Sequence, residues 1–177
     1  NKTILFQTRC FLNEKAKDVQ EIHKQRYELI HFLRNNFSKE FIGGFIPSKI
    51  VKEKYKNTIS TINPDPLEYF KAVKYANIVI YTRGLVNSPA WKMAEYCSQG
   101  KIIMAEKLTA ELPVELQNGT HVLWFDDHNT LKKNIKKVIN DVELAKKLSI
   151  NSKEYFDTHI HPEKNIERIL KIMGCEI

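Results

Sequence analysis

Short apolar runs alternate with amphipathic helical runs along most of this chain, and this alternation limits its possible folds more than any other feature. The runs with strand character lie at 3–8, 41–46, 58–62, 78–81, 102–105 and 122–125, and the fourth is the clearest. Helical periodicity or helix-start signals mark 15–36, 48–56, 66–76, 89–98, 129–140, 142–158 and 163–173. Alternating strands and helices with right-handed crossovers build a parallel sheet that is covered on both faces. We therefore predict a doubly wound α/β fold with a mainly parallel six-stranded sheet and helices on both faces. Its ligands should bind at the carboxyl ends of the strands.

Local signals support several of these boundaries. Asp65 precedes Pro66, the combination of cap and first-turn proline that begins a helix, and Asp141 is a cap between two closing helices. The pair Gly43-Gly44 inside a predicted strand indicates a bulge or close backbone packing.

Length and composition favour a single domain over residues 1–177. No run reaches the roughly 18 uncharged apolar residues that a bilayer-spanning helix needs, and no signal peptide is apparent. The chain begins with Asn1 rather than Met and enters an apolar run almost at once, which suggests a piece of a longer protein. Three cysteines (Cys10, Cys97 and Cys175) lie far apart without a CxxC pair, which fits a reducing, cytoplasmic setting.

The chain is basic, with 28 Lys and Arg against 21 Asp and Glu and a formal net charge of +7. Its one dense basic run, within 132–137, lies opposite apolar residues on a helical wheel. A solvated lysine face is the first interpretation, and docking to anionic lipid at a membrane surface is the second. Nucleic acid binding is a weaker third, because no aromatic residues interleave with the lysines and no zinc-finger or RNP-like motif is present.

Several common chemistries lack their motifs. The first βα turn, 7–11, contains no glycine, which disfavours a dinucleotide site of the GxGxxG kind, and no P-loop or GxSxG elbow is present. The six histidines show no HExxH spacing, and no metal-ligand set can be assembled from the sequence. We therefore predict neither a metal site nor a bound cofactor.

The segment that follows the clearest strand carries the strongest functional signal. Ser88 is of the N-cap type and Pro89 suits a first helical position, so unpaired backbone N–H groups should face the preceding loop and attract an anion. Glu95 follows on a helix face away from the sheet. Because helical side chains lean toward the helix N-terminus, Glu95 can reach back toward a ligand there and accept hydrogen bonds from sugar hydroxyls.

The segment 88–103, with its pattern S-P-x-W-K-x-x-E-Y-x-x-x-G-K-I-I, resembles the nucleotide-sugar-binding C-terminal domain of GT-B glycosyltransferases of the group 1 type. The resemblance extends over most of the chain. It includes the opening strand with Thr8-Arg9, the end of a helix and the following strand at 75–80, the segment 118–125 and the closing helices. It implies a Rossmann-like half of a GT-B fold, with the donor bound in a cleft shared with an N-terminal domain that this chain does not contain.

The resemblance also implies roles for particular residues. Glu95 occupies the position that binds the ribose hydroxyls. The helix start at Ser88, Pro89 and Ala90 occupies the position that meets the diphosphate. Arg9 matches an arginine that follows the first strand in that family. Lys15 is a looser match to the lysine that partners the family's arginine.

Four further positions complete the candidate site. Asn87 stands where many retaining members carry a glutamate, which leaves the handling of the sugar and the stereochemistry open. Arg83 and Gly84 lie in the loop that would flank the sugar or phosphate. Lys92 is assigned to the donor site, with an exposed i, i+3 pair with Glu95 as the alternative. Arg26 falls on the apolar stripe of its helix, and a partly buried ion pair is its expected explanation.

The resulting hypothesis is the donor-binding domain of a metal-independent glycosyltransferase of the hexosyltransferase type, incomplete in this chain. It would use a nucleoside diphosphate sugar and a saccharide or lipid-linked acceptor, as in polysaccharide biosynthesis. No catalytic residue is assigned within the chain, and the expected location is cytoplasmic, with peripheral membrane contact at the inner face left open. The alternative is a non-catalytic α/β module that binds a nucleotide or phosphate as a sensor or scaffold.

Overall fold

The computed structural model describes residues 2–12 and 15–174 and contains a five-stranded, fully parallel sheet with helices on both faces. The strands are β1 (Ile4–Thr8), β2 (Phe41–Phe45), β3 (Ile78–Tyr81), β4 (Ile102–Ala105) and β5 (Val122–Trp124). The helices are α1 (Lys17–Asn36), α2 (Lys49–Lys54), α3 (Pro66–Tyr75), α4 (Lys92–Ser98), α5 (His128–Asn140), α6 (Val142–Tyr155) and α7 (Pro162–Ile172). The predicted α/β class, parallel sheet and two helical layers are confirmed. Cys175 lies outside the described residues.

The alternation of side chains along each strand generates the two cores. In β1, Ile4 and Phe6 pack on one face of the sheet against α1 and α5, whereas Leu5 packs on the other face against α3 and α4. Every residue of β1, β3 and β4 is buried, as parallel strands covered on both faces require.

The prediction of a sixth strand at 58–62 is wrong. The segment adds a single bridge between Phe45 and Ile59 and begins within a one-turn 3-10 helix, Lys56–Thr58. The ladder stops after this bridge, because Pro47 beside it has no N–H to donate and the Ile62 N–H donates to Ser60 Oγ at 3.1 Å. The interpretation of Gly43-Gly44 as close backbone packing is confirmed, because a Cβ on Gly43 would lie 2.2 Å from the Phe6 carbonyl oxygen.

The strand order β2-β1-β3-β4-β5 places a topological switch point between β1 and β3. The chain leaves β1 toward β2 on one side and returns through α3 to β3 on the other, so the loops that follow β1 and β3 diverge. Asp65 starts α3 as predicted, accepting hydrogen bonds from the backbone N–H groups of Leu67 and Glu68.

The remaining helices differ in how much apolar surface they bury. The apolar face of α5 packs on the sheet through Leu131, Ile135 and Val138, and its predicted lysine face is largely exposed. By contrast, α7 buries no residue and leaves Ile166, Ile169 and Ile172 exposed. Within the described part of the chain, no helix has the length and apolar character needed to cross a membrane.

Candidate functional site

A cleft of about 560 Å³ opens at the carboxyl ends of β1 and β3, at the switch point of the sheet. Its floor comes from the ends of these two strands, and its walls come from α1, the start of α3 and the segment that leads into α4. The lining residues include Gln7, Thr8, Arg9, Phe11, Arg26, Tyr69, Tyr81, Thr82, Gly84, Ser88, Pro89, Ala90, Trp91 and Lys92. The structure therefore has a cleft where a doubly wound sheet is expected to hold its ligand.

The charged side chains that line the cleft are all cationic, although most of the lining is apolar or aromatic. Three cationic side chains, Arg9, Arg26 and Lys92, contribute to its wall, and no aspartate or glutamate among the described residues does so. Cations gathered in a concave, low-dielectric site focus a positive potential. The arrangement favours an anionic ligand. No group of three or more His, Cys, Asp or Glu side chains in residues 2–12 and 15–174 is arranged to hold a metal ion.

Lys92 projects from the start of α4 toward β1. Its Nζ donates a hydrogen bond to the Gln7 carbonyl oxygen and lies 4.9 Å from the centre of the Tyr69 ring, a cation–π contact. Burial is the largest influence on the Lys92 amine and lowers its pKa to about 8, although the charge of nearby Glu95 acts in the opposite direction. Lys92 forms no ion pair with Glu95, so the surface-pair alternative for this lysine is wrong.

The segment before α4 differs from the expected helix start. Helix α4 begins at Lys92 rather than at Pro89, and Trp91 rather than Ser88 precedes its first residue. The Ser88 N–H donates to the Leu85 carbonyl at 3.0 Å and the Ala90 N–H donates to the Tyr81 hydroxyl at 2.6 Å. Pro89 has no N–H to give. The N–H groups of Ser88 and Ala90 are therefore not free to bind an anion, although Ser88, Pro89 and Ala90 all line the cleft.

A partly exposed ion pair holds the loop after β3 to α1. Arg83 Nη1 lies 2.6 Å from an Asp18 carboxylate oxygen, and the second oxygen of Asp18 accepts from the Val86 N–H at 2.7 Å. These two contacts, the backbone hydrogen bond first, lower the pKa of Asp18. Arg83 thus has an acidic partner within the chain, and its side chain lies outside the lining of the cleft.

Six of the ten residues assigned from the sequence to a donor site line the cleft: Arg9, Gly84, Ser88, Pro89, Ala90 and Lys92. The other four do not. Lys15 is exposed in the turn before α1, and Asn87 borders a smaller neighbouring pocket together with Arg83. The structure therefore brings together the positions around β1, β3 and the start of α4, and separates them from the other four.

Glu95 is the fourth of these outlying residues. It is half-buried on α4, three residues after Lys92, and its Oε2 is buried without a hydrogen-bond partner. Burial raises the pKa of its carboxyl group, and the nearby Lys92 charge partly offsets that effect. A role for Glu95 in binding stays a prediction.

The sequence analysis did not assign Arg26, Gln7 or Tyr69 to the site. The expected ion pair of Arg26 is wrong, because its guanidinium donates to the carbonyl oxygens of Arg9 and Arg83 at 3.0 and 3.2 Å. The sequence signal at Arg26 was an arginine on the apolar stripe of a helix. Such an arginine can bind an anionic ligand as well as form an ion pair. Gln7 and Tyr69 gave no signal, because neither belongs to a recognisable sequence motif.

No protein-family model matches this chain, and no curated protein does either. Solved structures do match it. Sucrose-phosphate synthase from Thermosynechococcus elongatus aligns with a TM-score of 0.63 and 14% identity, covering 97% of this chain and 44% of its own. The C-terminal domain of a glycosyl transferase group 1 family protein (LpcC) from Francisella tularensis aligns with a TM-score of 0.56 and 14% identity, covering 89% of this chain and 84% of its own. A putative UDP-N-acetylglucosamine 2-epimerase from Listeria monocytogenes aligns with a TM-score of 0.58 and 13% identity, and the alignment covers 97% of this chain and 45% of the epimerase chain.

These similarities establish the fold, a Rossmann-like half of the GT-B type. At 13–14% identity they do not carry a function from those proteins to this one. The chain also spans less than half the length of two of the three, the synthase and the epimerase.

Proposed function

We propose that the cleft binds the diphosphate of a nucleoside diphosphate sugar, and that this chain is the donor-binding part of a glycosyltransferase. The observation that carries the proposal is the charge of the cleft: Arg9, Arg26 and Lys92 line it, without a carboxylate among the described lining residues. A diphosphate supplies the negative charge that such a wall lacks. The similarity of the fold to a glycosyl transferase group 1 C-terminal domain is consistent with this assignment.

In the proposed reaction the cleft stabilises the leaving group. Charge builds up on the diphosphate as the bond to the sugar breaks, and fixed cations that face it lower the barrier without a metal ion. Arg9 comes from the segment after β1 and Lys92 from the start of α4, and both would face the diphosphate. A hexose-like sugar would pass to a saccharide or lipid-linked acceptor held by a second domain, which would also supply any catalytic base. A cytoplasmic location and peripheral membrane contact stay predictions.

Glu95 is proposed to accept hydrogen bonds from the ribose. Its Oε2 has no hydrogen-bond partner, so it has an acceptor to offer. Because Glu95 does not line the cleft and its Oε2 is buried, the contact requires its side chain to move toward the ligand. Substitution of Glu95 by alanine should weaken binding of a ribonucleotide more than binding of the matching 2′-deoxyribonucleotide.

Calorimetric titration of UDP, GDP and ADP, each with and without an attached sugar, tests the proposal. Lys92→Met removes a cation from the cleft, and Lys133→Met removes one from the exposed face of α5 as a matched control. We expect one nucleotide to bind selectively, with an affinity that falls about tenfold or more in Lys92→Met and is unchanged in Lys133→Met. Absence of binding, or equal effects of the two substitutions, would contradict the proposal.

A non-catalytic sensor or scaffold module is the second candidate. Two observations favour it: Asn87 replaces the glutamate of many retaining enzymes, and neither Asn87 nor Glu95 lines the cleft. The parent gene separates the two functions. About 150 to 200 further residues of α/β pattern upstream would supply the acceptor domain of an enzyme, whereas their absence would favour the module.

A further inference from the structure

Arg26 is a buried cation without an acidic partner among the described residues. It is 6% exposed, and its two terminal nitrogens donate to the carbonyl oxygens of Arg9 and Arg83. No carboxylate of the described residues lies within ion-pair distance of it, and the charge of Glu106 acts on it only through space. A buried arginine normally has a carboxylate in contact, because desolvation of an unpaired charge is costly.

The Nε of Arg26 has no acceptor. It is buried and makes no hydrogen bond, whereas each terminal nitrogen donates one. The residue lines the cleft, and its guanidinium carbon lies 5.2 Å from the centre of the Phe11 ring, another lining residue. Because the Nε atom itself is covered, a ligand in the cleft contacts it only after the lining moves, and this N–H then supplies a charged donor without an internal partner.

The two carbonyl contacts give Arg26 a second property. They come from the segment after β1 and the segment after β3, the two edges between which the cleft opens. A ligand that binds Arg26 therefore contacts the group that holds both segments together. The guanidinium remains charged at neutral pH, although burial lowers its pKa to about 10.

We propose that Arg26 is the internal anion-binding residue of the cleft, and that a small movement of the cleft lining brings its buried Nε–H to a phosphate oxygen of the bound nucleoside diphosphate while its terminal nitrogens hold the two loops. This inference rests on the proposed function for the identity of the ligand, and it adds a residue that no sequence motif indicates. Unlike Arg9, which is exposed, Arg26 is already desolvated. Its interaction with an anion is therefore strengthened by the low local dielectric.

Variants separate this role from a purely structural one. Arg26→Gln removes the charge, and Arg26→Lys keeps the charge but loses the planar fork. Calorimetry would compare the nucleoside diphosphate that binds best among UDP, GDP and ADP with its uncharged nucleoside. We expect the diphosphate affinity to fall about tenfold or more in Arg26→Gln, since a charge-assisted hydrogen bond contributes roughly that much, and nucleoside affinity to stay within about twofold. An equal loss for both ligands, or no loss for either, overturns the inference.

A measurement on the unaltered chain covers the case in which the variants fail to fold. The Nε–H resonance of Arg26 can be followed by NMR during titration with pyrophosphate and with the three nucleotides. We expect a saturable shift with each phosphate ligand that binds. If a nucleotide binds and the resonance does not move, the Arg26 inference fails and the proposed function stands. If pyrophosphate binds and shifts the resonance but no nucleotide binds, the proposed function fails and the Arg26 inference stands. If nothing binds, both fail.

Discussion

Lys92 is a cation of the cleft whose charge depends on its surroundings. Burial lowers the pKa of its amine to about 8, and the nearby charges of Arg26 and Arg9 act in the same direction. An amine loses its proton above its pKa, so the positive charge that Lys92 presents to the cleft declines as the pH rises through about 8. Its anion affinity must decline with it.

We predict that nucleoside diphosphate affinity falls about three- to tenfold between roughly pH 7 and 9.5, with its midpoint near the Lys92 pKa. The phosphates are fully ionised across this range, since their last pKa is about 6. Calorimetry at a series of pH values measures the effect. Lys92→Met should give a flatter profile than the unsubstituted chain, with its remaining decline above about pH 9, where Arg26 with a pKa of about 10 begins to lose its proton. A flat profile in the unsubstituted chain would show that Lys92 does not face the ligand.

Val86 carries backbone strain in the loop after β3. Its φ is 53°, a left-handed conformation that costs a β-branched residue roughly 1–2 kcal/mol, and its side chain is 85% exposed. We predict that Val86→Asn raises the free energy of unfolding by about 1 kcal/mol and the melting temperature by about 2–4 °C, because asparagine tolerates this conformation. Val142, which is 74% exposed at the start of a helix, is the matched control. If Val142→Asn stabilises the chain equally, strain at Val86 is not the cause.

At the scale of single elements, β2 depends on two glycines with positive φ. Gly43 has a φ of +117°, and a Cβ there would lie 2.2 Å from the Phe6 carbonyl oxygen of β1. We predict that Gly43→Ala lowers the free energy of unfolding by about 3 kcal/mol or more, because it combines strain with a backbone clash. Gly119→Ala is the control, since Gly119 has a φ of +74° but nothing within 4 Å of its added Cβ.

Thermal unfolding of both glycine variants, followed by circular dichroism, checks this prediction. Gly119→Ala isolates the cost of the backbone conformation and should lower stability by only about 1 kcal/mol. Equal losses for the two variants would mean that the close packing of β2 against β1 adds nothing.

The elements also show where local sequence signals are sufficient. Helix α3 begins as predicted because Asp65 caps it through contacts two and three residues away. Helix α4 begins later than predicted, at Lys92, and the Ala90 N–H before it bonds to the hydroxyl of Tyr81, a residue of β3. A local pattern does not contain such a tertiary contact. The sixth strand is missing because Pro47 has no N–H for the ladder and the Ile62 N–H bonds to Ser60.

At the scale of the whole molecule, the sequence predicted the position of the cleft but not its full chemistry. Alternating strands and helices determined a doubly wound sheet, and the switch point of that sheet determined where the cleft lies. Arg9 was assigned from the resemblance to a donor-binding domain, and Lys92 lies in the segment that carries this resemblance. Arg26 was not assigned to the site, because the other residues on its stripe of α1 pack in the core.

The isolated chain should bind nucleotide but transfer no sugar. It spans 44% of the sucrose-phosphate synthase that shares its fold, and no catalytic base is assigned within it. We predict no transfer above background from radiolabelled sugar nucleotides to saccharide or lipid-linked acceptors, under conditions in which calorimetry shows binding. Measurable turnover by these 177 residues would contradict the need for a second domain.

The central claim is that the cleft between β1 and β3 is the nucleotide site, and amide NMR mapping during titration with UDP, GDP and ADP tests it most directly. We predict that one nucleotide shifts the amide resonances of Thr8, Thr82 and Gly84, at the ends of the two strands, and leaves those of α5 and α7 unmoved. Shifts confined to the lysine face of α5, or no shifts with any of the three nucleotides, would contradict the claim.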